Sequence, residues 1–303
     1  MKKGRILVIR GGAIGDFILT LPAIAALRRQ FPEAHLEVLG YPHITQLAAA
    51  GGWVDAVRPI EAKGLAGFFA RHGELDPVIA NYFARFDLII SYLFDPDSIF
   101  RTNVAACTTA QFIQCPHRPR ESDDIHATAV YLSPLEQLAI FDADPVPQLR
   151  LKAEPSQQTS TIALHPGSGN ERKNWPEARW AVLLQLLLEK TDFQLLIVGG
   201  EAEGDRVERL TAGLPEARVD VARSWSLVDL AKRMSTCRGF VGHDSGITHI
   251  AAALGLPCVV LWPDTNQAIW RPQGDRVVLL NEPRGLRALD VDWVFSEIEK
   301  ISQ

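Results

Sequence analysis

From Arg5 onward the chain alternates short runs of consecutive apolar residues with longer stretches in which apolar positions recur every three or four residues. Arg5–Ile9, Leu36–Leu39 and Phe86–Ser91 are of the first kind, and a stretch ending near Gln30 is of the second. Unbroken apolar runs predict strands buried on both faces, and the 3.6-residue period predicts the helices that cover them. After a Pro-rich polar passage from Asp144 to Ser160 the order returns: strand-like Thr161–His165, Gln194–Val198, Gly239–Val241, Cys258–Trp262 and Arg276–Leu280, with a helical segment at Ser226–Met234. The expectation is an α/β chain of two Rossmann-like, doubly wound domains, 1–152 and 153–303. The last segment, 292–301, has helical spacing through Trp293, Val294, Ile298 and Ile301 and can pack on either domain, including back on the first.

A length of 303 residues suits two domains, each large enough for its own core. The net charge of −5 argues against general nucleic-acid binding. Lys2, Lys3 and Arg5 lead into a short strand rather than the apolar stretch of a signal peptide, and no 18-residue uncharged apolar stretch follows. A cytoplasmic protein is expected. The four cysteines, Cys107, Cys115, Cys237 and Cys258, lie far apart without C-x-x-C spacing, which reads as buried thiols and neither a disulfide framework nor a zinc site.

Doubly wound sheets bind ligands beyond the carboxyl ends of their strands, so the loops after strands carry the candidate chemistry. The most informative is in FVGHDSGITHIAAALGLPCVVLWP, Phe240–Pro263: strand, Gly-bracketed turn, helix, strand. Ser245 or Asp244 can cap that helix, whose first amides and dipole make an anion seat at Asp244, Ser245 and Gly246. An ordinary capped β-α-β unit explains the same residues.

After the first strand, Arg10-Gly-Gly-Ala-Ile-Gly-Asp16 resembles a nucleotide-binding turn, but Ala13 stands where the dinucleotide fingerprint needs its second glycine, which argues against a nicotinamide cofactor. The turn offers a backbone open to close approach at Gly12, Ala13 and Gly15. It also offers a carboxylate, Asp16, placed at a helix start toward the interdomain cleft, where it can act as a general base or simply cap the helix. In His165-Pro-Gly-Ser-Gly-Asn-Glu-Arg-Lys-Asn-Trp-Pro176 small residues such as Ser168 leave room for a ligand. Arg172 and Lys173 bring cations to the edge that carries Asp244, and Trp175-Pro176 opens the next helix. In Gly199-Gly-Glu-Ala-Glu-Gly204 either Glu201 or Glu203 can meet ribose hydroxyls, and Trp225 can stack on a base or pack in the core.

Together, Gly11–Asp16, HPGSGNERKNWPEARW (His165–Trp180) and GHDSGITHIAAALGLPCVVLW (Gly242–Trp262) resemble the family 9 glycosyltransferases, the ADP-heptose:lipopolysaccharide heptosyltransferases. The resemblance runs over nearly the whole chain. It implies a GT-B architecture with acceptor on the N-terminal side and nucleotide sugar on the C-terminal side. The implied reaction is an inverting, metal-independent transfer of heptose from ADP-heptose to the inner core of lipopolysaccharide. The sugar nucleotide is then a substrate, and no cofactor is implied. Position by position, Asp16 matches the family's catalytic base and Lys173 its cation near the donor phosphates. Asp244, Ser245, Gly246 and Ile247 match its diphosphate and sugar loop, with His249 a turn further on. Trp225 falls where the family sets an apolar side chain against adenine, and Glu201 or Glu203 where an acid meets the ribose. The family often has Asp-Thr-Gly where this chain has Asp244-Ser-Gly246.

The acceptor implied is an anionic glycolipid at the inner membrane, visited peripherally from the cytoplasmic side. Lys63, Arg71, Arg101, His117, Arg118 and Arg120 are the basic residues available to it, with Arg101, Arg118 and Arg120 placed on the acceptor side. The stretch Leu65, Phe68, Phe69, His72, Leu75 reads as core or as a membrane-facing amphipathic helix. Two rivals share the architecture: a nucleotide-sugar epimerase and a non-catalytic nucleotide-sugar-binding homologue.

Overall fold

The computed structural model describes residues 3–151, 159–200 and 204–301. The first apolar runs become β1 (Arg5–Arg10), β2 (His35–Gly40) and β4 (Leu88–Ser91), and two further strands that the pattern did not mark, β3 (Ala56–Pro59) and β5 (Gln111–Gln114), flank them. Between and after them run α1 (Ile14–Gln30), α2 (Pro42–Ala50), α3 (Pro77–Phe83), α4 (Ile99–Ala105) and α5 (Ala127–Leu132). The strands pair in parallel in the order β3-β2-β1-β4-β5. Leu7, Ile9, Leu39 and Ile89 share one buried cluster with Phe68, Phe83 and Phe100, and α1 lies beside α2 and α5. Of the stretch Leu65–Leu75, Leu65 and Phe68 are core, Leu75 is half-buried, and Phe69 and His72 are exposed. The stretch forms only a 3-10 turn, Lys63–Phe69, which ends before His72, whose φ of 56° breaks any helix.

The second set is β6 (Thr161–His165), α6 (Glu177–Lys190), β7 (Gln194–Gly199), α7 (Arg206–Thr211), β8 (Val219–Arg223) and α8 (Leu227–Met234). It continues through β9 (Gly239–His243), α9 (Gly246–Ala253), β10 (Cys258–Leu261), α10 (Gln267–Trp270), β11 (Val277–Leu280) and α11 (Val291–Ile301). These strands make a parallel sheet in the order β11-β10-β9-β6-β7-β8. Strand residues alternate between its two cores. Ile162, Leu164, Val241 and Val259 meet Trp180 and Leu187 of α6 and Val294 and Ile298 of α11. Ala163, Phe240 and Val260 meet Leu230 and Met234 of α8 and Ala251 of α9. With helices on both faces, β6, β7 and β10 are apolar at consecutive positions, which is the run pattern of the sequence, whereas the edge strand β8 is mostly exposed.

The chain divides into two units, 1–145 and 146–303. The break falls seven residues before the expected 152/153 boundary because Leu149 is already tied to the second unit, its N–H donating to the Ala253 carbonyl at 2.8 Å. Of the two places open to the terminal helix, α11 lies against α6, β9 and β10 of its own unit. Each strand order reverses direction at one point: between β1 and β4, and between β6 and β9. Such switch points open a crevice beyond the strand ends, because the loops on either side leave toward opposite faces of the sheet.

Candidate functional site

At the switch point of the first sheet, the Gly11–Ala13 turn leaves β1 and feeds α1. Ala13, not Asp16, occupies the N-cap position. Asp16 sits in the first helical turn, where its Oδ2 accepts the Ala13 N–H at 3.1 Å. The helix-start reading is thus half right: the carboxylate satisfies an orphan amide, from inside the helix. Its other oxygen, Oδ1, lies 3.8 Å from the guanidinium of Arg10, and the Asp16 side chain retains 31% exposure.

Arg10 ends β1 and is buried. Its Nη1 donates to the His117 carbonyl at 2.8 Å and its Nη2 to the Asp16 carbonyl at 3.2 Å. The guanidinium carbon stands 4.6 Å from the ring centre of Tyr131 and 5.7 Å from that of Tyr92. These two rings meet edge to face, and the Tyr92 hydroxyl donates to the Tyr131 carbonyl at 2.7 Å. Burial pushes both phenols above their usual range. Burial and the cations of Arg10 and Arg118 hold His117 below the ordinary imidazole value, against the opposing pull of Asp16. Beside His117 stands the exposed ring of Phe94, centroids 4.6 Å apart.

Of the basic residues assigned to the acceptor side, Arg118 joins this cluster electrostatically and pairs with Glu121 at 3.2 Å. Arg101 is occupied elsewhere, its guanidinium over the Phe112 ring and its N–H bonded to Asp95. Arg120 is exposed, its carbonyl accepting the Asp123 N–H. Gly12, with φ of 101°, and Ala13 are exposed, while Gly15 is half-buried in the first turn of α1.

The second sheet carries the other cluster at its own switch point, where the loop after β6 faces the turn after β9. Lys173 ends a 3-10 turn, Glu171–Lys173, and its Nζ donates to Asp244 Oδ2 at 2.6 Å. Arg172 beside it is exposed. Of the two possible caps for α9 it is Ser245 that serves, its hydroxyl accepting the Thr248 N–H, which leaves the Asp244 carboxylate to Lys173. The Thr248 hydroxyl donates to the His243 carbonyl, so the hydrogen shared between Ser245 and Thr248 comes from Ser245. His165 Nδ1 lies 3.2 Å from the same Ser245 oxygen, within hydrogen-bond range. Gly246 and Ile247 are half-buried at the start of α9, and His249 is buried one turn on.

His243 fastens the two loops together. Its Nε2 accepts the Trp175 N–H at 2.8 Å, so its proton is on Nδ1, which donates to the Gly167 carbonyl at 3.2 Å. Trp175 is fully buried, its indole N–H donating to the Leu289 carbonyl. Arg206 adds a tether, with Nη1 on the Pro166 carbonyl and Nη2 2.6 Å from both oxygens of Glu171. Ser168 holds the turn between them, its hydroxyl 2.7 Å from Asn174 Oδ1. Trp225, just before the Ser226 cap of α8, keeps 41% exposure, which rules out the core-packing reading. Glu201 and Glu203 lie outside the described residues. Among the described residues no three His, Cys, Asp or Glu side chains group as a metal would require, and no helix is long and apolar enough to cross a membrane.

The residues that sequence reasoning missed are Arg10, Tyr92, Tyr131 and His243. A charged residue closing an apolar strand immediately before two glycines was the available signal for Arg10.

Two α/β units, each with a polar cluster at its switch point, set the fold class, and comparison with known proteins narrows it. The pattern of glycosyltransferase family 9 (heptosyltransferase) matches residues 137–287, the region that carries Lys173 and Asp244. The chain thus resembles the family 9 enzymes and is a glycosyltransferase. It is 24% identical to a Haemophilus influenzae protein described as a putative glycosyltransferase, over 89% of this chain and 86% of that one. It is 38% identical to lipopolysaccharide heptosyltransferase 1 of Pseudomonas aeruginosa, over 43% of this chain and 32% of that enzyme. The structure of the Escherichia coli ADP-heptose LPS heptosyltransferase II is similar in fold, with a TM-score of 0.80 at 16% identity over 98% of both chains.

Proposed function

We propose that this chain is an inverting heptosyltransferase that moves a heptose from ADP-heptose to the inner core of lipopolysaccharide. The observation that supports this most is the chemistry of the second cluster: a Lys173–Asp244 pair beside the capped N-terminus of α9, in the segment matched to family 9. Lys173 and the first amides of α9 take the charge developing on the leaving diphosphate, a role that needs no metal. The relatives named as lipopolysaccharide and lipooligosaccharide heptosyltransferases support the donor and acceptor.

In this reading an acceptor hydroxyl attacks the anomeric carbon, the bond to the β-phosphate oxygen breaks on the opposite face, and Asp16 takes the hydroxyl proton. Inversion follows from a single displacement. Trp225 stacks on the adenine, and the acid at 201 or 203 meets the ribose. The acceptor reaches the Asp16 unit from the cytoplasmic face of the inner membrane.

The test is incubation with ADP-heptose and heptose-free lipopolysaccharide, following ADP release and product mass. Transfer with stoichiometric ADP, lost in Asp16→Asn while ADP still binds, supports the proposal. An isomerised sugar nucleotide without ADP release makes the protein an epimerase. Donor binding with neither product makes it a binding homologue.

A further inference from the structure

We infer that Arg10 is a positioning residue for Asp16, and that the Tyr92–Tyr131 pair exists to hold Arg10. The inference rests on Asp16 being the base.

A buried guanidinium at the end of an apolar strand is costly unless its charge and donors are answered. Arg10 is 3% exposed, too deep to reach a substrate itself. Two of its donors go to carbonyls on separate segments, those of His117 and Asp16, and the cation stands within cation–π range of both tyrosine rings. One carboxylate lies against it: Asp16 Oδ1 at 3.8 Å. The Asp16 carbonyl also accepts a second bond, from the Thr20 hydroxyl at 2.8 Å. The same guanidinium thus hydrogen-bonds the Asp16 main chain and lies in ion-pair range of its carboxylate, while the Ala13 N–H donates to Oδ2. These contacts bias the orientation of a carboxylate that keeps 31% exposure. Proton abstraction by a general base depends on that orientation, since an error of about 1 Å in a reacting group costs on the order of 100-fold in rate.

Steady-state kinetics with both substrates tests the inference, with Arg10→Met, Arg10→Gln and Arg10→Lys beside Asp16→Asn. Arg10→Met is expected to lower kcat by about 10- to 100-fold with both KM values within about twofold of wild type. ADP affinity, which reports the other unit, stays unchanged. Arg10→Lys, which restores the cation but not the fork, recovers about tenfold of the loss. If Arg10→Met does not fold, Arg10→Gln carries the same expectation. Wild-type kcat in a folded Arg10→Met or Arg10→Gln, or a loss that appears in KM and not kcat, overturns the inference. Full activity in Asp16→Asn would instead remove the base assignment itself, so the two failures are told apart.

Discussion

Lys173 and Asp244, 71 residues apart, meet at 2.6 Å across the switch point of the second sheet. Asp244 is nearly buried and Lys173 about a third exposed, so the pair is shielded on one side only. Lys173→Met strands the carboxylate, and the expected stability loss is about 1–2 kcal/mol, between the values for exposed and fully buried pairs. On the proposed role of Lys173 at the donor diphosphate, ADP affinity is expected to fall by about tenfold or more in titration calorimetry. Asp244→Asn, which keeps Lys173 charged, is expected to weaken ADP less.

Arg206 and Glu171 give a pH signature. The Arg206 hydrogen bonds outweigh burial and hold the Glu171 carboxyl below its ordinary value of 4.5. A carboxylate lowered on folding contributes stability above its unfolded pKa and loses that contribution as pH falls through the folded one. Urea midpoints of wild type and Glu171→Gln should therefore differ at pH 6 and converge below pH 4.5 as Glu171 protonates.

Gly12 has φ of 101°, and a Cβ there comes within 3.0 Å of Asp16 Oδ2. Gly12→Ala is expected to cost about 1 kcal/mol in backbone strain and to push the carboxylate off its amide. Turnover falls while ADP affinity is kept. Unchanged turnover would show that the orientation of this carboxylate does not limit the rate.

Burial pushes the thiols of Cys237 to about 11 and Cys115 to about 12, and raises Cys258 further. Cys107 is also raised by its burial but is only half-buried. Iodoacetamide at pH 8 on the native protein is expected to label Cys107 first. Peptide mass mapping reads the order directly.

Buried strands such as Thr161–His165 were legible because burial on both faces makes their signal local, whereas β3, β5 and β8, edge strands with exposed positions, carry no such run and were not anticipated. The Lys173–Asp244 edge was legible for a related reason, since each residue lies in a loop whose Gly-rich composition marks a turn after a strand. Arg10 shows the limit. Besides Asp16, its partners come from residues 82 and 107 positions away, and nothing near Arg10 reveals that Tyr92 and His117 will close over it. His243 was hidden differently: its imidazole reads as one more strand-end residue until the loop carrying Trp175 folds back on it.

That loop is held at Pro166, Gly167 and Trp175 by the protein's own hydrogen bonds. On the proposed function, a sugar nucleotide settling against Lys173 has little backbone to freeze. Its binding should carry a small entropic penalty for chain ordering, so that discrimination among donors rests on contacts formed rather than on the cost of shaping the site.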